Sequence, residues 1–84
     1  MGKPEYINRR QEELLSELKK PELEKDDESR LGVLSELGNL YFMAGNMDQA
    51  ASRMRETADL QEKLKDEAGL GATLDSLGSI LKEK

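Results

Sequence analysis

The 84-residue sequence has no cysteine, no histidine and no tryptophan, and only two prolines and three aromatic residues. Without cysteine there is neither a disulfide nor a thiolate metal site to staple a small core. Without histidine the chain lacks the commonest general base and the commonest neutral metal ligand. Histidine-dependent triads and histidine-ligated zinc are therefore excluded by counting. Positive charge is also in short supply. Thirteen Lys and Arg stand against eighteen Asp and Glu, a net charge of −5, which opposes nucleic-acid binding through a basic patch. No apolar run approaches the roughly 20 residues of a membrane span. The opening Met1 to Tyr6 has no apolar leader core, and Tyr6 stands where a myristoylation motif wants Ser or Thr. Cofactors, metals, nucleic acid and membrane are thus not expected, and a cytoplasmic chain is.

What remains is helix-forming. Fourteen of the residues are Leu, and only Ile7, Val33, Thr57, Thr73 and Ile80 are β-branched. Leu, Glu, Lys, Ala and Met lose little side-chain freedom in a helix, whereas strands favour the β-branched and aromatic residues scarce here. The apolar residues recur at helical spacing, which separates this charged chain from a disordered one. Four segments follow. In residues 5–19, Ile7, Gln11, Leu14, Leu15 and Leu18 form one stripe. Pro21 stops that helix and opens a connector to Lys25, long enough for one turn of its own. In residues 27–44 the stripe is Leu31, Leu34, Leu37 and Tyr41, capped by Asp26 or Asp27 and ended by Gly45. In residues 47–65 it is Ala50, Met54, Thr57, Ala58, Gln61 and Leu64, with Asn46 as N-cap. In residues 67–82 it is Leu70, Leu74, Leu77 and Leu81, with Ile80 beside them.

Glycines inside helices need a reason, because each costs about 1 kcal/mol relative to Ala. Gly38 and Gly78 both close a Leu-x-x-Leu-Gly pattern, and both are expected where another helix backbone passes too close for a Cβ. The pattern exposes a repeat. Leu34 to Tyr41 align with Leu74 to Leu81 at an offset of 40, and Lys25-Asp26 with Lys65-Asp66. A fixed period in this range with two helices per unit indicates stacked helical hairpins.

These residues resemble the tetratricopeptide repeat. Leu34, Leu37, Gly38 and Tyr41, followed by Ala50, Met54 and Thr57, carry the pattern at the family's spacing. Leu74, Leu77 and Gly78 begin it again, with Leu81 in the Tyr place. Met54 stands for the usual aromatic, Thr57 for the usual Ala, and Glu62 for the frequent Pro; Arg10 departs from a small-residue place in the first segment. The 40-residue period is similar to the longer repeats of the Leu-Gly-Asn and kinesin-light-chain types. The resemblance implies an all-α fold of antiparallel helical hairpins stacked as a short solenoid of about four helices. One full hairpin over 27–65 would sit between a helix B-like segment, 5–19, and a helix A-like one, 67–82, in a single domain over 1–84.

The resemblance further implies a non-enzymatic protein–protein interaction module that takes a peptide or helix on its concave face. Ser35, Asn39 and Phe42 lie at i, i+4 and i+7, about 100° from the core stripe. The matching positions in the last helix are Asp75, Ser79 and Lys82. Asn39 falls at the family's groove Asn, which holds a ligand backbone, and a merely solvated side chain is the alternative. Phe42 either packs on the first helix or anchors a ligand. Met43, Met47 and Met54 read as core filler. The carboxylate-clamp positions hold Gly32, Ser35 and Glu36, which disfavours a C-terminal-carboxylate ligand. The acidic surface suits a basic or apolar partner. Because a hairpin cannot bury its face alone, uncovered end faces also predict self-association. A structural, homo-oligomerising unit without a peptide ligand is the alternative function.

Overall fold

A computed structural model describes residues 3–83; the expectations for Met1–Gly2 and for a fraying Lys84 lie outside the described residues. Five helices follow one another: α1 Lys3–Leu18, α2 Pro21–Lys25, α3 Asp27–Met43, α4 Met47–Lys63 and α5 Glu67–Glu83. Among the described residues there is no strand, and no helix is long and apolar enough to cross a membrane. The class is all-α, and the long helices keep the expected limits within two residues. The connector holds a full short helix. Pro21 drives Lys20 into an extended conformation, φ −75° and ψ 130°, and itself starts α2, where its missing N–H is no loss.

The last three helices keep a stricter beat than the 40-residue repeat suggests. Each is 17 residues long, and they start at 27, 47 and 67. The side chain before each accepts a backbone N–H three residues on: Asp26 from Ser29 at 3.2 Å, Asn46 from Gln49 at 3.4 Å, Asp66 from Gly69 at 3.0 Å. These caps satisfy N–H groups that have no partner within the helix. The three-residue turns between helices also match. Gly45 and Lys65 both take positive φ, +82° and +60°. The next N–H then reaches back five residues, Asn46 to the Tyr41 carbonyl at 2.8 Å and Asp66 to the Gln61 carbonyl at 2.9 Å. This closure satisfies the last carbonyls and reverses the chain. Antiparallel hairpins result, with α4 between α3 and α5.

Leu37 of α3 joins Ala50, Ala51 and Met54 of α4 in one core cluster, and Leu34 is buried as well. Gly38 is buried at this contact. A Cβ there would lie 2.7 Å from Met54 Cε, so its close neighbour is a side chain rather than the expected backbone. Gly78 corrects the expectation outright: nothing lies within 4 Å of where its Cβ would be. On the other side of α3, α1 inserts Ile7 and Leu14. Arg10 of α1 binds Glu36 of α3 in a fork, Nε to Oε2 at 2.6 Å and Nη2 to Oε1 at 2.9 Å, and also reaches Glu13 at 3.0 Å. The residue that breaks the repeat pattern in α1 thus fastens α1 to α3. Lys63 Nζ, 3.1 Å from Asp27 Oδ2, ties the end of α4 to the start of α3.

The face that α5 turns inward is a second correction. Thr73 and Ile80 are the buried residues, while Leu74 and Leu81 are 51% and 44% exposed. Leu70 and Leu77 sit half-buried at the boundary. The leucine stripe is therefore rotated toward solvent relative to α4.

Candidate functional site

A groove runs between α3 and α5 and has α4 as its floor. Two adjoining clefts mark it. One, about 270 Å³, is lined by Asn39, Phe42, Met54, Ser76, Ser79 and Ile80. The other, about 180 Å³, shares Asn39, Met54 and Ser76 and adds Ser35, Gln61 and Thr73. The wall from α3 is Ser35, Asn39 and Phe42, as its i, i+4, i+7 spacing predicts. Phe42, 40% exposed, lines the groove. The wall from α5 is Ala72, Ser76 and Ser79, again i, i+4, i+7. Of the three positions expected on α5, Ser79 lines a cleft and Asp75 and Lys82 do not.

The floor was not foreseen as part of the site. Met54 is buried and lies beneath both clefts. Gln61 is 7% exposed, and its Oε1 has no hydrogen-bond partner among the described residues. A Cβ on Gly69 would stand 2.7 Å from Gln61 Nε2 and would also strike the Asp66 carboxylate. The absence of that Cβ lets the amide and the cap occupy the same corner. An unpaired buried acceptor is costly unless something else binds it, so Gln61 gives the groove floor a polar demand. Of the methionines read as filler, Met54 is core, Met47 half-buried and Met43 60% exposed.

Among the described residues, no charged one lines either groove cleft. Glu36 and Asp26 are engaged elsewhere. The hydrogen bonds from Arg10, with a smaller electrostatic contribution, hold the Glu36 carboxyl below its usual range. The same bonds to Glu36 first, then to Glu13, raise the Arg10 guanidinium further above its already high value. At the start of α3, hydrogen bonds from the Ser29 hydroxyl and N–H lower the Asp26 carboxyl. A third cleft, about 370 Å³, lies at the α4–α5 turn among Gln61, Glu62, Lys65, Asp66, Glu67 and Leu70. Chemically the groove offers hydroxyl and amide hydrogen bonds beside apolar contact from Phe42, Met54 and Ile80. No family model matches this chain, and neither a curated protein nor a solved structure matches it.

Proposed function

We propose that the protein is a binding module of the tetratricopeptide kind, taking an uncharged peptide segment or helix face of a partner protein in the α3–α5 groove. One observation carries this reading: Ser35, Asn39 and Phe42 converge with Ser76 and Ser79 over a Met54 floor, with no charge among them. Clefts this small sit at the low end for enclosing a small molecule and suit single side chains of a peptide. The surrounding hydroxyls and amides match the donors and acceptors of a peptide backbone. Glu36, at one of the positions a carboxylate clamp would use, is already bound by Arg10, which further disfavours a C-terminal carboxylate as ligand. The excess of acidic residues lies outside the two groove clefts, where it would attract basic residues flanking the bound segment. The module is a cytoplasmic, non-enzymatic one in this reading, with no cofactor.

The test is an NMR titration with short uncharged peptides bearing one aromatic or branched aliphatic residue. Amide shifts should concentrate on 35–42 and 72–79. Asn39→Ala and Phe42→Ala should each weaken binding without altering the far-UV circular dichroism, since both side chains are exposed. Tight binding that leaves the groove amides unshifted, or that neither variant weakens, would sink the reading.

A further inference from the structure

The face of α5 that looks away from the groove carries Leu70, Leu74, Leu77 and Leu81, with Leu74 and Leu81 about half exposed. On α3 the equivalent positions are Arg30, Leu34, Leu37 and Tyr41, and the last three of them are buried. On α5, Leu77 still packs against the core and Leu70 is half-buried, but Leu74 and Leu81 stand open to solvent. The α5 stripe is also more uniform than its α3 counterpart, four leucines spaced 4, 3 and 4 apart. That spacing reads the same in both directions. Laid antiparallel on itself, it sets Leu70 opposite Leu81 and Leu74 opposite Leu77, as the alternating layers of an antiparallel coiled coil require.

Two further features fit a second copy of this chain. Gly71 and Gly78 border the stripe seven residues apart, and neither has anything within 4 Å of where a Cβ would stand. Intramolecular packing therefore gives no reason for these two helix-interior glycines, whereas a second helix approaching along the stripe does. In the antiparallel register they lie on the same flank of the seam, two residues, or about 3 Å, from standing opposite each other. The charges complement in part, the exceptions being Glu83 beside Lys82 and Asp75 near its own copy at the two-fold axis. Asp66 and Glu67 lie at the N-terminal end of α5 and the exposed Lys82 near its C-terminal end. Antiparallel copies bring acid near base at both ends, and opposed helix dipoles agree with this; a parallel pair would set like charges side by side.

We propose that α5 pairs antiparallel with α5 of a second copy through Leu70, Leu74, Leu77 and Leu81, forming a two-fold dimer that leaves both grooves open. A single 17-residue seam, about 25 Å long at 1.5 Å per residue, falls in the small class of interfaces, so the dimer is a weak one. The pairing does not depend on what the groove binds.

Sedimentation equilibrium on the full chain from about 10 μM to 1 mM should show a monomer–dimer equilibrium. Leu74→Glu, at a half-exposed site, should keep the helical circular dichroism and weaken the dimer about thirtyfold or more, as removal of a central anchor does. Gly78→Gln should do two opposite things, raising the melting temperature of the dilute monomer while weakening the dimer. Spin labels test the orientation. Labels at position 75 should lie close together across the dimer. Labels at position 82 should stand further apart by about 20 Å along the axis, because 82 falls opposite 69 and 13 residues intervene. A chain monomeric at 1 mM, a dimer untouched by Leu74→Glu and Gly78→Gln, or close labels at position 82 would each overturn the proposal.

Discussion

Arg10 of α1 and Glu36 of α3 join two helices that are 26 residues apart in sequence, through two hydrogen bonds of 2.6 and 2.9 Å. Such forks are geometrically stricter than ordinary surface pairs. Glu36 is the titrating partner, and its folded value lies below its unfolded one. Its contribution is therefore complete above the unfolded carboxylate range, about 4.3, and is lost as pH falls through the lower folded value. Glu36→Gln should remove that dependence. Hydrogen exchange should then show reduced protection in α1 at neutral pH, with α4 and α5 unchanged.

The two matching turns differ in one side chain. Gly45 takes its left-handed conformation freely, whereas Lys65 adopts φ +60° with a Cβ in the way. Lys65→Gly should stabilise the protein by about 0.5–1 kcal/mol, and Gly45→Ala should destabilise it by about 1 kcal/mol. In a domain this size each shift corresponds to roughly 4–8 °C per kcal/mol in thermal melts.

Asn46 caps α4 through its side-chain oxygen. Asn46→Ala should lower stability by about 1 kcal/mol in urea unfolding, and Asn46→Asp should preserve most of it or improve it, because a negative charge suits a helix N-terminus.

The paired glycines of the repeat should respond differently to the same change. Gly78→Ala adds a methyl into open space and gains helix propensity, up to about 1 kcal/mol in the dilute monomer. Gly38→Ala gains the same propensity but pushes Met54, which is buried. Its net effect should be near zero or destabilising, and Gly38→Val should cost about 1–3 kcal/mol through overpacking. Melts of the four proteins, wild type included, measure the difference directly.

The helices were legible because caps and stripes agreed. Asp26 and Asn46 announced starts, Gly45 an end, and the α3 leucines a buried face. The phase of α5 was not legible. Four leucines outweigh Thr73 and Ile80 in any reading by hydrophobic stripe, yet the latter two face α4. The groove was legible on α3 and only partly on α5. Translating Ser35, Asn39 and Phe42 by 40 residues assumes that both helices show the groove the same flank. Two helices bordering one groove show it opposite flanks, so Ser76 and Ala72 stand there where Asp75 was expected. Met54 and Gln61 were placed correctly in the α4 stripe, but sequence spacing does not say that the underside of a core is also the bottom of a cleft.

The turn-and-cap unit that recurs every 20 residues has a kinetic consequence. Each long helix leans chiefly on its sequence neighbours, so cohesion is handed from one to the next as in a one-dimensional chain of coupled spins. The ends of such a chain have half the couplings of its middle. Opening should therefore run inward, α1 and α5 peeling away first, with the α3–α4 hairpin as the last stretch to let go.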